Sequence, residues 1–210
     1  ETNFRLTHQY NTAGELVRTG FFGSQKSLLN NNNKTFIELG YLPARWDDVN
    51  SGGNGSFKMQ DRVRAAAFFG TDQSKTFSTE YGIFYSGEDI GGHSLKYKFN
   101  FTWRPSDRFS IASFITYEDK KGWLIHDEDR DFTTFNASLW RPRIETDFFF
   151  SARQQFRITL QWAGIKAFED KRWSVPSAAG GLRQEQRVLT EDSRDFSISR
   201  LTFQARYRWE

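Results

Sequence analysis

The sequence predicts an all-β fold, an antiparallel up-and-down transmembrane β-barrel of about ten strands. Residues 1–210 are predicted to form a single domain, which is either a whole barrel or a segment of a larger one. Apolar and polar residues alternate strictly in "SLKYKFNFTWRPSDRFSIASFITYE" (94–118), on both sides of a short turn. Short turns alternate with longer loops from residue 30 onward. Aromatic residues make up 17% and charged residues 26% of the chain, which favours a sheet with two unlike faces.

The composition excludes several classes of protein. With 0 Cys there is no disulfide framework, thiol nucleophile or thiolate metal site. No apolar run approaches the length of a transmembrane helix, whereas a barrel strand needs only about 9–11 residues. The net charge of +3 is too small to indicate nucleic acid as a partner. The first residues, "ETNFRLTHQY", do not form a signal peptide, so an outer-membrane reading implies a mature chain or a fragment.

Alternation defines the strands, and turn-forming residues separate them. Four connections are short: "NNNN" (30–33), "TDQS" (71–74), "RPSD" (104–107) and "SARQ" (151–154). Three are long, at 43–59, 120–135 and 169–194, and "GEDIGG" (87–92) is intermediate. Short periplasmic turns and long extracellular loops alternate in this way in membrane barrels, and a soluble sandwich has no reason to do so. The predicted strands are 2–10, 14–28, 34–42, 60–70, 75–87, 93–104, 108–119, 136–150, 155–168 and 195–209.

The phase of the alternation assigns an outer, apolar face. Phe196 and Ile198 are out of phase with the rest of the last strand, which predicts a β-bulge near Ser199 or Arg200. Pro142 predicts a second bulge. The residues expected to share the outer face are Leu95, Tyr97, Phe99, Phe101, Trp103, Phe156, Ile158, Leu160, Trp162, Phe203 and Tyr207. Aromatic residues near the short turns, among them Trp103, Phe109, Phe148 and Phe156, suit an interfacial girdle.

The opposite face carries the candidate functional residues. They are predicted to face a lumen: Lys96, Lys98, Arg141, Arg143, Glu145, Asp147, Arg157, Arg206 and Arg208. One interpretation is a basic path that attracts anionic solutes. The other is a structural network of cross-strand ion pairs. The predicted register sets Asp147 opposite Thr159 and Glu145 opposite Gln161, with Asp147 diagonal to Arg157.

The sequence shows no catalytic, cofactor or metal motif. His8, His93 and His126 are far apart, and neither HExxH nor GxSxG is present. The acidic stretch "HDEDRD" (126–131) has the carboxylates for Ca²⁺ but not the spacing of an EF-hand, and a solvated loop is the favoured interpretation. We therefore predict no enzyme activity, no cofactor and no metal.

Two stretches of the sequence resemble a known family of membrane proteins. "WRPRIETDFFFSARQQFRITLQWAGIKA" and "DFSISRLTFQARYRWE" resemble the C-terminal β-barrel domain of Gram-negative outer-membrane proteins that usually carry an N-terminal domain like carbohydrate-binding module family nine. "YNTAGELV" and "RWDD" also resemble parts of that family. The carbohydrate-binding module is absent here, and the family continues past the match to "RYRWE". The resemblance therefore implies that strands 2–10 and 195–209 are edges, completed by further strands of the same full-length chain.

The resemblance implies location in the bacterial outer membrane, with membrane lipid as partner and no catalytic residues. The first hypothesis is a non-enzymatic barrel that acts as a channel, with an anionic solute as partner, or as the anchor of a glycan-binding module. The alternatives are an outer-membrane barrel hydrolase and a soluble antiparallel β-sheet binding module. Activity on lipid or peptide substrates separates the hydrolase, and detergent dependence separates the soluble module.

Overall fold

The computed structural model describes residues 1–177, 180–186 and 192–209. Strands account for 74% of the structure, and its described part contains no helix, which confirms the all-β prediction. Accordingly, nothing helical in those ranges is long and apolar enough to cross a membrane. The strands are β1 Thr2–Tyr10, β2 Leu16–Leu28, β3 Lys34–Leu42, β4 Arg45–Asp47, β5 Phe57–Met59, β6 Arg62–Gly70, β7 Phe77–Gly87, β8 His93–Ser106, β9 Phe109–His126, β10 Asp131–Ser151, β11 Gln154–Ser174, β12 Arg183–Glu185 and β13 Phe196–Trp209.

The strands form one antiparallel meander. The order is β1-β2-β3-β6-β7-β8-β9-β10-β11, and both β12 and β13 pair with β11. Strands β4 and β5 form a separate hairpin within the connection from β3 to β6. As predicted, β1 and β13 are edge strands. No described pairing joins them, so the sheet is not closed.

The pairing register gives the sheet an apolar face and a polar face. Directly paired residues of antiparallel strands point to the same side. One such row runs Phe101–Ser113–Ile144–Leu160–Phe203 across five strands. Register places all eleven predicted outer-face residues on this side, as expected. Large side chains remain exposed here, such as Phe4 at 86% and Leu201 at 67%, so no closed core covers the apolar face.

Three of the four predicted short turns are bounded differently in the structure. The "RPSD" turn reduces to Asp107–Arg108, because β8 continues to Ser106 beyond a bulge. The "SARQ" turn reduces to the two residues Ala152 and Arg153. The "TDQS" connection is longer than predicted and spans 71–76. Most residues of "RPSD" and "SARQ" are polar and fit a strand end as well as a loop, so composition alone did not define the boundary.

The predicted long loop 120–135 is largely strand, and the one at 169–194 is strand in part. β9 continues to His126, β10 begins at Asp131 and β11 ends only at Ser174, so 120–135 contains a loop of just 127–130. Phe132, Thr133, Thr134 and Phe135 are all buried. Consecutive buried residues give no alternation, because both faces of this part of the sheet are covered. The sequence signal on which the strand prediction depended is therefore missing.

Two hydrophobic clusters provide that cover. On one face the β4–β5 hairpin packs on β10, with the Phe57 and Phe132 ring centroids 5.1 Å apart. The Lys58 N–H also donates to the Gly180 carbonyl at 2.8 Å. On the other face the start of β13 packs on β10, and the Phe135 and Phe196 centroids are 5.2 Å apart. The chain's most buried apolar side chains thus lie at the loop end of the sheet.

Neither predicted bulge occurs. The β11–β13 register is unbroken from Ala167↔Phe196 to Gln154↔Trp209. Phe196 and Ile198 lie on the polar face without a bulge. Phe196 packs against the second cluster there, whereas Ile198 stays 53% exposed. Pro142 pairs with Ile115 of β9 without a register shift.

Candidate functional site

The nine predicted lumen residues lie together on the polar face. Register rows join them across the sheet, for example Lys98–Thr116–Arg141 and Asp147–Arg157–Arg206. They extend over β8, β10, β11 and β13. Alternation thus identified a real shared surface, and whether that surface encloses a lumen stays a prediction.

Near the Ala152–Arg153 turn, Asp147 is the centre of a cluster of charged and polar side chains. Its carboxylate accepts two hydrogen bonds from Arg157, with Nε–Oδ1 at 2.8 Å and Nη2–Oδ2 at 3.2 Å. Gln155 Nε2 adds a third at 2.6 Å. A forked guanidinium–carboxylate pair of this kind fixes geometry as well as charge.

The predicted register of this pair was wrong by two residues. Asp147 lies directly opposite Arg157, and Glu145 lies opposite Thr159. The cause is the two-residue turn together with a bulge between Phe149 and Ser151. The face assignment survives, because a shift of two residues keeps every side chain on its own side. Arg143 pairs with Glu145 on the same strand.

A charged cavity lies further along the polar face. We call it the β6–β9 cavity; its volume is about 420 Å³, and its ionisable lining comprises Glu38, Arg62, Arg64, Glu88, Lys96, Lys98, Glu118 and Lys120. Glu118 is buried and forms ion pairs with Lys96, Nζ–Oε2 at 3.2 Å, and with Lys120, Nζ–Oε1 at 3.7 Å. Glu88 forms an ion pair with the same Lys120, Nζ–Oε1 at 3.5 Å. The sequence prediction included Lys96 and Lys98 but missed Arg64, although the same alternation in β6 marks it.

Several cations on the polar face lie over the faces of phenylalanine rings. Arg5 lies over Phe22 at 4.5 Å, Lys98 over Phe84 at 4.9 Å and Arg143 over the Phe114 ring at 5.8 Å, each measured to the ring centroid. Such contacts hold a cation in place without neutralising it. These rings were not predicted on this face, because the alternation pattern assigned aromatic residues to the outer face only.

Burial shifts the pKa values of Arg45, in β4, and of Glu88, which lines the cavity. Arg45 and Arg62 both pair with Asp89. Burial, and then the neighbouring Arg62 guanidinium, lower the pKa of Arg45 below its usual value. Burial raises the pKa of Glu88, and Lys120 only partly opposes this. Ionised Glu88 is therefore a net cost to the folded state.

We expect a Glu88→Gln variant to be more stable than the wild type at pH 7. A raised carboxyl pKa means that the folded state binds more protons than the unfolded state, so stability falls as pH rises from the unfolded pKa to the folded pKa. Glutamine imitates the protonated form and removes this loss. Urea unfolding in detergent at pH 4 and pH 7 measures it: the advantage of the variant should be present at pH 7 and absent at pH 4. An equal effect at both pH values would contradict the explanation.

The histidines and the acidic stretch form no reactive cluster in the described residues. His8 Nε2 lies 3.0 Å from the Tyr10 hydroxyl, His93 stacks on Tyr85, and His126 Nε2 lies 2.9 Å from the Asp129 carbonyl. In the part of the chain that the structure describes, no group of three His, Cys, Asp or Glu is placed to hold a metal ion. Asp127 accepts from the Thr133 hydroxyl at 2.6 Å and pairs with Arg194, so this carboxylate ties loops together.

Comparison with family models, curated proteins and solved structures gives no significant match for this chain.

Proposed function

We propose that this chain forms an outer-membrane β-barrel, or part of one, with its apolar face against lipid and its polar face around the interior. The observation that carries the proposal is the exposed apolar face. Contiguous apolar surface on this scale is unfavourable in water and marks contact with lipid or another protein. Apart from the short β12, the strands of the main sheet have at least 9 residues, enough for a tilted strand to cross the hydrocarbon core.

Aromatic residues at the short-turn end support the same orientation. The ring centroids of Trp103 and Phe109 are 6.1 Å apart, and those of Phe109 and Phe148 are 4.9 Å apart. The row continues from Phe148 to Phe156 and Tyr207. A band of aromatic side chains across five strands fits the interfacial girdle of a membrane barrel.

For the activity, we propose a non-enzymatic channel that favours anionic solutes. Cations outnumber carboxylates on the polar face of the sheet. The cations that register places on this face include Arg5, Arg18, Lys26, Lys34, Arg62, Arg64, Lys96, Lys98, Lys120, Arg141, Arg143, Arg157, Arg200, Arg206 and Arg208, and the carboxylates include Glu38, Glu80, Glu118, Glu145, Asp147 and Glu169. A surplus of one sign on low-dielectric walls raises the local concentration of counter-ions. Membership of the outer-membrane family and an anchoring role for a glycan-binding module rest on the resemblance alone.

Membrane insertion is the first test. We expect the urea-unfolded chain to regain its β-sheet circular dichroism only when diluted into zwitterionic detergent or phosphatidylcholine vesicles, with the inserted strands protected from protease. Dilution into plain buffer is the control and should give aggregate. A folded, monomeric species in plain buffer would contradict the membrane proposal and favour a soluble binding module.

Planar-bilayer recording is the second test. We expect channel events whose reversal potential in a salt gradient shows preference for the anion. An absence of channel events would exclude the pore and leave the anchor. Cation-selective events would contradict the charge argument, since the surplus on the polar face is positive.

A further inference from the structure

We infer that the β6–β9 cavity is a binding site for a small solute that carries phosphate or carboxylate groups, with Arg64 and Lys98 as its main contacts. The inference deepens the proposed function by locating one anion site on the polar face. Only its role in solute passage rests on that function; binding itself does not.

The charge balance of the lining indicates the sign of the ligand. The lining has five cations, Arg62, Arg64, Lys96, Lys98 and Lys120, against three carboxylates, Glu38, Glu88 and Glu118. Glu88 and Glu118 are engaged by Lys96 and Lys120, and Arg62 pairs with Asp89 outside the lining. Among the described residues, neither Arg64 nor Lys98 is within ion-pair distance of a carboxylate.

The positions of these two cations suit an oxyanion. Lys98 lies over the Phe84 ring at 4.9 Å, which holds the ammonium group near the cavity without neutralising it. Arg64 is paired in register with Ser86 on the adjacent strand, and its planar guanidinium can bind two oxygens of one phosphate or carboxylate. Both cations belong to the polar face and border the same space.

The size and the walls of the cavity fit a compact polar solute. A volume of about 420 Å³ falls in the range of about 300–1,000 Å³ that small-molecule sites occupy. The Ser94 side chain belongs to the wall, and its hydroxyl can donate to an anion. The Ser86 hydroxyl, also in the wall, donates to the Gly87 carbonyl at 3.1 Å. The ion pairs of Lys96 and Lys120 with Glu118 fix the part of the wall that β8 and β9 form.

Calorimetric titration of the chain in zwitterionic detergent micelles at low ionic strength tests this. Pyrophosphate and citrate serve as separate probes, and the tighter one identifies phosphate or carboxylate as the preferred group. We expect saturable binding that weakens about tenfold or more in the Arg64→Gln/Lys98→Met double variant. The control is Arg5→Gln, which removes a polar-face cation that also lies over a phenylalanine but is outside the cavity; its affinity should equal that of the wild type.

The outcomes separate the site from the membrane proposal. Unchanged affinity in the double variant, or an equal loss in Arg5→Gln, would overturn the site, because binding would then follow total charge. Circular dichroism confirms that each variant keeps its sheet, and the single variants replace the double variant if it does not. Vesicle insertion without probe binding would reject the site and leave the barrel. Probe binding without vesicle insertion would support the site and reject the membrane proposal.

Discussion

Replacement of Leu160 by Arg is expected to lower the free energy of unfolding in lipid vesicles by about 2–4 kcal/mol, provided that Leu160 lies near the bilayer midplane. Leu160 is on the apolar face, directly between Ile144 of β10 and Phe203 of β13. None of these neighbours can neutralise or hydrogen-bond a guanidinium group, which would then face hydrocarbon. Urea titration of the vesicle-inserted chain, followed by tryptophan fluorescence, measures the loss.

The matched control is Thr159→Arg, one residue earlier on the same strand. Thr159 is on the polar face, opposite Glu145 and Gln204, so an Arg there has a polar surrounding and lies beside a carboxylate that also pairs with Arg143. We expect its free energy of unfolding to stay close to that of the wild type. Similar losses in the two variants would mean that the two faces do not differ in environment, and the membrane orientation would fail.

A Gly92→Ala substitution is expected to be among the most damaging small changes in the chain. Gly92 has φ +87°, and a Cβ there would lie 2.2 Å from the Lys121 carbonyl oxygen. The left-handed conformation costs an L-residue about 1–2 kcal/mol, and overpacking typically adds about 1–3 kcal/mol. The obstacle is backbone and cannot rotate away. We expect a loss of about 2–5 kcal/mol in the same urea titration.

Gly53→Ala isolates the conformational part of that loss. Gly53 has φ +90°, and a Cβ there would meet nothing within 4 Å. Its cost should therefore be only the conformational one, about 1–2 kcal/mol. If Gly92→Ala were no worse than Gly53→Ala, the close approach of the β7–β8 loop to β9 would not exist in solution.

Alternation predicted the strands well where one face is polar and the other apolar. Phe99, Phe101 and Trp103 gave β8 and its orientation from the sequence alone, because each neighbouring pair of residues differs in polarity. The meander followed from the turns. The predicted strand boundaries were wrong where neighbouring residues do not differ in polarity. Phe132–Phe135 is such a stretch, because parts of the chain distant in sequence cover it on both sides.

The polar face could be predicted as a set of residues but not as a set of contacts. A strand shifted by two residues presents the same side chains to the same side, so sequence pattern does not distinguish Asp147 opposite Arg157 from Asp147 opposite Thr159. The bulge between Phe149 and Ser151 decided the register. The partnership of Lys98 with Phe84 was likewise hidden, because it joins two strands whose offset depends on the length of the 88–92 loop.

The meander has a consequence for how the sheet assembles. From β6 to β11, each strand pairs with the strand that follows it in the chain, so every new ladder closes only a short loop. Loop closure costs little entropy at such separations, and the sheet can grow by one hairpin at a time. Removing β1 from one edge would leave all the other ladders intact, whereas cutting between β8 and β9 would divide the sheet into two pieces with new unpaired edges. Strand order thus predicts that truncations are tolerated progressively from the edges and poorly at the centre.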